Sequence, residues 1–190
     1  MESLKEKIAS EGVVLSEKII IVNSFLNHQI DAGLMEEIGS QFASLFSGSG
    51  ATKILTAEVS GIPPALATGM KMSIPVVFAR KSKPSTMGDE VYRASVTSAT
   101  SEKRLEILVK KEYLSPSDKV LLIDDFISEG YATKALCDIV ASAGATIVGI
   151  GTVIEKSFLH GRDRFKDEVD APIHALVKIL KMSPEGIEFE

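Results

Sequence analysis

The sequence predicts an α/β fold in which helices flank a central, mostly parallel β-sheet. The first observation is that short apolar runs alternate with segments of helical periodicity along most of the chain. The second is that two runs, at 120–123 and 146–154, are apolar on successive residues, as strands buried on both faces of a parallel sheet are. With 190 residues the chain is long enough for a substantial core, and a single domain over 1–190 is predicted.

The first predicted elements are a helix over 2–11 and a strand over 19–22. A second helix is capped by Asp31 and extends to about Phe46. Spacings of three and four residues place four side chains on the apolar stripe of this helix: Leu34, Ile38, Phe42 and Leu45.

The middle of the chain continues the alternation and then interrupts it. A strand over 53–57 precedes a helix that begins at Pro63-Pro64 and ends near Met72, and a strand follows over 75–79. The segment 81–111 begins with a polar stretch rich in breakers, and a long excursion of this kind in a compact domain is typically functional or disordered.

Alternating apolar residues at 94–100 and 105–109 predict a two-stranded arm within that segment. The carboxyl-terminal third then holds the strand at 120–123, a helix with its apolar face inward, and a central strand over 146–154. The segment 173–180 is predicted to be an edge strand.

Composition limits the function classes. The net charge of −5 argues against nucleic acid as a main partner, because phosphate contacts need clustered Lys and Arg. No apolar run is long enough to cross a membrane, and the first residues lack a signal-peptide core. The single cysteine, Cys137, cannot form an internal disulfide, which is typical of a cytoplasmic protein.

The most informative motif follows the strand at 120–123. Asp124 and Asp125 stand at its carboxyl end, and a short loop containing Gly130 leads into a helix. Ligands of open α/β sheets bind at this end of the strands, and a helix amino terminus there suits a phosphate. Carboxylates beside a phosphate indicate a ligand that also carries hydroxyls or a divalent cation, as a phosphoribosyl group does. The alternative is a buried strand with a solvated acidic turn.

Two further strand ends carry candidate site residues. Ser60 and Gly61 follow the strand at 53–57 and lead into a helix, although an ordinary strand-to-helix turn has the same pattern. Arg80 and Lys81 follow the strand at 75–79, where cations can neutralise a diphosphate. The alternative for these cations is a solvated basic turn.

The stretch 120–133 resembles the phosphoribosyl-diphosphate motif of the type I phosphoribosyltransferases. Phe126 follows the two acids, and in this respect the motif resembles that of the xanthine phosphoribosyltransferase branch of the family, where a phenylalanine stands at this position. The similarity to this branch covers most of the chain and thins after Gly161; four further segments carry it, at 12–16, 24–31, 75–81 and 154–158.

The resemblance implies a role for each candidate residue. Asp124 and Asp125 would be catalytic and hydrogen-bond the ribose 2- and 3-hydroxyls. The 5-phosphate would be bound by the phosphate loop, residues 128–132: Ser128, Glu129, Gly130, Tyr131 and Ala132. The diphosphate would be bound by four residues: Ser60, Gly61, Arg80 and Lys81. Xanthine would be bound by three: Ile20, Asn27 and Lys156.

The implied reaction is purine salvage, in which xanthine and phosphoribosyl diphosphate give xanthosine 5'-monophosphate and diphosphate. Mg²⁺ would bind together with phosphoribosyl diphosphate, and the substrate rather than the protein would supply most of its ligands. The resemblance also implies the type I fold with a hood formed by about residues 1–30 and the C-terminal segment, a mobile loop at about 81–111, and a homodimer.

Some positions depart from the family pattern. Glu129 stands where small residues are commoner, and Ser95-Val96-Thr97-Ser98 contains no tyrosine of the Ser–Tyr pair that many members carry in the mobile loop. The alternatives are a guanine or hypoxanthine phosphoribosyltransferase on the same scaffold and a non-catalytic regulator that senses phosphoribosyl diphosphate. Such regulators usually need a basic DNA-binding module, for which this chain has neither length nor charge.

Overall fold

A computed structural model describes residues 1–96 and 105–190 of the chain. The described residues form four α-helices: α1 (Glu2–Glu11), α2 (Ala32–Leu45), α3 (Ile62–Met72) and α4 (Tyr131–Ser142). They also form ten strands: β1 (Val13–Ser16), β2 (Ile19–Ile21), β3 (Lys53–Ala57), β4 (Val76–Ala79), β5 (Val91–Val96), β6 (Leu105–Lys110), β7 (Lys119–Ile127), β8 (Thr146–Lys156), β9 (Ile173–Ser183) and β10 (Gly186–Phe189).

Six strands form the central sheet in the order β10-β9-β8-β7-β3-β4. The pairs among β9, β8, β7, β3 and β4 are parallel, and β10 alone joins antiparallel. The predicted α/β fold with a mostly parallel sheet is confirmed, as is the central position of the 146–154 strand. Because β3, β4, β7 and β8 are parallel, their carboxyl ends meet at one edge of the sheet, where all the predicted site residues except Ile20 and Asn27 lie.

Two apolar cores cover the two faces of the sheet. Leu121 and Ile123 point into a core shared with α1, α2 and α3, while Val120 and Leu122 point into a core shared with α4. This alternation is what the two-residue period of a strand buried on both faces requires. Both α4 and the helices opposite it are therefore fixed against β7.

The N-terminal helices begin and end close to the predicted positions. The Asp31 carboxylate caps α2 by accepting a hydrogen bond of 3.1 Å from the Leu34 N–H. The expected stripe is wrong at its last member: Leu45 is 38% exposed, whereas Phe46 is only 2% exposed. The helix ends at Leu45, so the following residue turns back toward the core.

Two strand predictions are corrected. β9 is not the edge of the sheet, because the chain turns at its end and β10 pairs with it as the outer strand. β7 does not end at Ile123 but continues to Ile127, because its parallel pairing with β8 continues as far as Ile127 opposite Glu155. The two acids therefore lie within the last part of β7 rather than beyond it.

Two small antiparallel pairs lie outside the central sheet. β1, which the sequence analysis did not predict, pairs with β2 in a hairpin, and a π-helical turn over Asn23–Asn27 follows it. The predicted arm is confirmed as β5 paired with β6; its expected continuation over 97–100, including Thr97 and Ser98, lies outside the described residues. Within the described chain, no helix is both long and apolar enough to cross a membrane.

Candidate active site

The two acids of β7 line one small cavity at the carboxyl edge of the sheet. Its volume is about 220 Å³, and it is also lined by the turn after β3, by Lys81 and by Ala132. The Asp125 N–H donates to the Asp124 carboxylate over 3.1 Å. Asp124 is buried and Asp125 half-buried, so a ligand in this cavity meets both carboxyl groups away from bulk water.

Burial shapes the chemistry of this pair. It raises the pKa of Asp124 well above its ordinary value, and the charge of Asp125 raises it further, while Lys81 opposes the shift. Burial also raises the pKa of Asp125. Two carboxylates in a low-dielectric site are costly to ionise, so the site favours a ligand that brings hydroxyl donors or a cation.

The phosphate loop leads directly from β7 into α4. Gly130 is the N-cap of α4 with a φ of 81°, a conformation that glycine adopts at little cost. Among the described residues no side chain, that of Thr133 included, caps this helix, so its first N–H groups are available to an anion. The phosphate loop thus ends at an open helix amino terminus, and the binding of a 5-phosphate by residues 128–132 stays a prediction.

The turn after β3 brings Ser60 and Gly61 to the same cavity. A Cβ atom on Gly61 would collide with the Thr56 hydroxyl and the Asp124 carboxylate, so any larger residue here would displace these two side chains. Thr56 is fully buried and its hydroxyl has no hydrogen-bond partner within the described residues. Thr56 was not predicted as a site residue, because nothing in a strand pattern marks one buried threonine.

The two cationic side chains that follow β4 line different cavities. Lys81 lines the cavity with the acids, whereas Arg80 lines a neighbouring groove, with its guanidinium 5.8 Å from the centroid of the Phe78 ring. Glu58 holds the backbone between them: it accepts a 2.6 Å hydrogen bond from the Lys81 N–H, and its other oxygen is 3.8 Å from Arg80 Nε. Glu58 was also missed, since its partners lie more than twenty residues away in sequence.

Lys156 lies at the end of β8 and is partly buried. Its ammonium donates to the Lys18 carbonyl in the β1–β2 turn over 2.8 Å and lies 5.5 Å from the centroid of the Phe126 ring. Burial lowers the pKa of Lys156, and the charges of Glu129 and Asp125 oppose that shift. The structure thus connects Lys156 to the hairpin that carries Ile20 and to the acidic cavity.

The remaining predicted base contacts are less constrained. Ile20 is half-buried on β2, and Asn27 is exposed at the end of the π-helical turn. Their roles stay predictions. The described residues contain no cluster of three or more His, Cys, Asp or Glu side chains suited to hold a metal ion.

Comparisons with known proteins bear on this site. The family of the phosphoribosyl transferase domain matches residues 29–175. The chain is 49% identical over 189 residues to the xanthine phosphoribosyltransferase of Moorella thermoacetica, covering 100% of this chain and 96% of that protein. It is 50% identical over 189 residues to the xanthine phosphoribosyltransferase of Ectopseudomonas mendocina, covering 100% and 99%.

Solved structures share the fold at lower identity. The adenine phosphoribosyltransferase of Rhodothermus marinus superposes with a TM-score of 0.75 at 21% identity, covering 93% of this chain and 97% of that one. The Saccharomyces cerevisiae enzyme, solved with adenine and an imino-altritol bisphosphate, gives a TM-score of 0.74 at 19% identity, covering 93% and 99%. The predicted type I fold is confirmed, and the chain belongs to the phosphoribosyltransferase family of enzymes, in its xanthine phosphoribosyltransferase branch.

Proposed function

We propose that the protein transfers the 5-phosphoribosyl group from phosphoribosyl diphosphate to xanthine, giving xanthosine 5'-monophosphate and diphosphate in purine salvage. The observation that carries the proposal is the cavity at the sheet edge. It combines the buried Asp124, the half-buried Asp125, the turn that carries Gly61, and Lys81, next to the amino terminus of α4, which no side chain of the described residues caps. Full-length relatives at 49% and 50% identity named xanthine phosphoribosyltransferase support the same activity.

Each part of the sugar substrate has a matching group in this proposal. Asp124 and Asp125 accept hydrogen bonds from the ribose 2- and 3-hydroxyls, which removes the cost of two bare carboxylates in a buried site. The backbone N–H groups of the phosphate loop bind the 5-phosphate. Ser60, Gly61 and Lys81 bind the diphosphate, and Arg80 joins them if its guanidinium turns from the neighbouring groove.

The choice of xanthine as the purine base rests on the chemistry of Lys156. Its ammonium donates and cannot accept, so it favours a purine oxygen over the exocyclic amine of adenine. Ile20 and Asn27 complete the proposed base site. Guanine and hypoxanthine also carry an oxygen at one ring position, so they are the alternative substrates.

The chemistry requires positioning more than covalent catalysis. As the diphosphate departs, positive charge develops on the anomeric carbon, and the purine nitrogen must stand in line to attack it. The acids hold the ribose, the phosphate loop holds its 5-phosphate, and Lys81 with the glycine turn stabilises charge on the leaving group. No covalent intermediate with the protein is proposed.

Mg²⁺ fits the donors of this site. Two adjacent carboxyl groups with raised pKa values would be stabilised by a nearby divalent cation, and the described residues offer no complete protein cage for it. We therefore propose that diphosphate and ribose oxygens supply most of its ligands. When bound, the ion would neutralise charge on the diphosphate.

We also propose a homodimer and a cytoplasmic location. The groove between α2 and α3 exposes an apolar face that we define by Ile30, Leu66 and Met70, which are 50%, 52% and 73% exposed. A second copy of the chain covering it would remove this surface from water. The free, buried thiol of Cys137 is in keeping with a reducing compartment.

The hood and the closing loop belong to the same proposal. The β1–β2 hairpin reaches Lys156 through the Lys18 carbonyl, so we propose that residues 1–30 with the C-terminal segment cover the base. The β5–β6 arm within 81–111 is proposed to close over the diphosphate. All these parts belong to the single domain proposed for 1–190.

One assay tests the reaction and the base together. Purified protein is incubated with phosphoribosyl diphosphate, Mg²⁺ and, in separate reactions, xanthine, guanine, hypoxanthine or adenine. We expect xanthosine 5'-monophosphate as the fastest-formed nucleotide and no product from adenine. Faster guanosine or inosine monophosphate formation would select the alternative enzyme, and absence of every nucleotide while phosphoribosyl diphosphate still binds would support the regulator.

A further inference from the structure

The phosphate loop has a second layer of structure behind it. The 3₁₀ turn Gly161–Arg164, which we call the buttress turn, contacts the loop through two glycines. A Cβ atom on Gly130 would collide with the carbonyl of Gly161, and a Cβ atom on Gly161 would collide with the carbonyl of Ser128. The two backbones are therefore in direct contact at a point where neither residue can carry a side chain.

Arg164 adds two contacts of its own to the loop. Its Nε donates to the carbonyl oxygen of Glu129 over 2.5 Å. Its guanidinium also lies over the ring of Tyr131, 3.6 Å from the ring centroid. The Arg164 side chain thus contacts the residues on both sides of Gly130. These residues belong to the phosphate loop, whose backbone N–H groups are proposed to bind the 5-phosphate.

The buttress turn is itself fixed to the sheet. Arg162 binds the buried Glu155 of β8 through both its Nε, at 2.7 Å, and a terminal nitrogen, and it donates to the Ile173 carbonyl over 3.1 Å. Phe165, directly after the turn, is fully buried. Because these contacts attach the turn to β8 and β9, the turn is a rigid support against which the phosphate loop can be held.

We propose that Arg164 and Gly161 are positioning residues that hold the phosphate loop in its anion-binding conformation. The proposal deepens the proposed function and rests on its assignment of the 5-phosphate to residues 128–132. Gly130 is at positive φ and is also the N-cap of α4, which carries no side-chain hydrogen bond, so contacts from the buttress turn are what keep the N–H groups of the loop convergent. A loop that is ordered before binding costs less entropy when the ligand arrives.

The test separates the two phosphate sites by ligand. Ribose 5-phosphate probes the phosphate loop, and inorganic diphosphate probes the turn after β3. For Arg164→Ala, calorimetric titration with Mg²⁺ present should show ribose 5-phosphate binding weakened by about tenfold and diphosphate binding changed by less than about twofold. In turnover, KM for phosphoribosyl diphosphate should rise while KM for xanthine stays constant.

The matched control is Lys166→Ala. Lys166 is an exposed residue just after the buttress turn, and its ammonium lies 2.7 Å from the carboxylate of Asp163. Removal of the Lys166 side chain should change the affinity for neither ribose 5-phosphate nor diphosphate. Arg164→Lys keeps the charge without the planar stack and should bind ribose 5-phosphate between wild type and Arg164→Ala. It also replaces Arg164→Ala if thermal unfolding shows that the alanine variant is not folded.

The outcomes divide between the two proposals. Equal loss of both ligands, unchanged ribose 5-phosphate affinity in Arg164→Ala, or a fully wild-type Arg164→Lys would overturn the positioning role. Selective loss of ribose 5-phosphate binding in a chain that makes no nucleotide would keep the positioning role and reject the proposed enzyme. A wild-type chain that binds no ribose 5-phosphate would reject both.

Discussion

The carboxylate of Asp124 is proposed to bind the ribose, but its ionisation lowers the stability of the folded protein. Burial and Asp125 raise its pKa in the folded protein, so folding favours the protonated acid. The stability linked to this group is therefore present below its unfolded pKa of about 3.9 and is lost as the pH rises through the folded-state pKa. Asn has the same shape without the charge. We expect Asp124→Asn to be inactive yet more stable than wild type near about pH 8, by about 1.4 kcal/mol per unit of pKa elevation.

Thermal unfolding of both proteins across the pH range checks this sign. The difference in Tm should shrink as the pH falls toward about 4, where Asp124 is protonated in either state. Asp138→Asn serves as the control, because the Asp138 carboxylate is exposed on α4 and pairs with Lys134. An Asp124→Asn protein that is less stable than wild type at alkaline pH would mean that this carboxylate is better solvated than its burial indicates.

Lys156 allows a test of the base site alone. Lys156→Met keeps most of the aliphatic stem and removes the ammonium that donates to the Lys18 carbonyl. A charged hydrogen bond contributes about 1.5–3 kcal/mol, so xanthine affinity should fall by about 10- to 100-fold. Affinity for phosphoribosyl diphosphate should stay within about twofold, measured by titration of each ligand.

Lys18→Met is the partner variant for that experiment. It removes an exposed side chain and retains the backbone carbonyl that Lys156 contacts, so both affinities should equal those of wild type. If Lys156→Met weakens both ligands equally, the lysine supports the whole site and does not select the base.

At the level of elements, the sequence predicted the starts of helices, because a helix start depends on residues within one turn of it. Asp31 marked the start of α2, and Pro63-Pro64 marked the start of α3, because caps and fixed φ angles act within one turn. β1 and β10 were missed, since short strands owe their existence to a partner strand rather than to their own pattern. The extension of β7 past Ile123 has the same cause, namely pairing with β8.

The loop between β7 and α4 yields a prediction at this scale. Gly130→Ala places a side chain at positive φ and against the Gly161 carbonyl. Gly144→Ala, just after α4, has a similar φ of 69° but meets only Pro116, at 3.6 Å or more. The second variant should lose only the cost of the backbone conformation, about 1–2 kcal/mol.

We expect Gly130→Ala to lose more stability than Gly144→Ala and also to lose ribose 5-phosphate binding, which Gly144→Ala retains. Denaturant unfolding and titration of the two variants decide the point. Equal stability loss would show that the loop and the buttress turn separate freely, contrary to their contact in the structure.

For the whole molecule, the predictable part of the site is the part contiguous in sequence with a strand end. Asp124 and Asp125 lie in the last part of β7 and Gly130 follows it, and a general rule places ligands at this end of a strand. The rest depends on residues brought together by folding. The Thr56 hydroxyl and the Asp124 carboxylate both lie against Gly61, and Arg164 contacts Glu129 from 35 positions away. Such contacts leave no periodic signal in a single sequence.

The apolar face defined by Ile30, Leu66 and Met70 carries the last prediction, that the protein is a homodimer through this face. Three exposed apolar side chains along one groove are unusual for a surface facing water, and most soluble oligomers are twofold dimers. Leu66→Glu would bury a charge in that interface. We expect wild type to be a dimer and Leu66→Glu to dissociate at least about 30-fold more readily, as a loss of about 2 kcal/mol implies.

Sedimentation equilibrium over a concentration series measures both dissociation constants. Leu180→Glu is the matched control: Leu180 is 40% exposed on β9, and the neighbouring Ile179 points into the core shared with α1 and α2, so Leu180 faces away from it. Its substitution adds the same charge at a similar exposure, and it should leave the dimer intact. If Leu180→Glu dissociates and Leu66→Glu does not, the interface lies on the β9 side of the sheet, and the groove between α2 and α3 is open to solvent in the assembly.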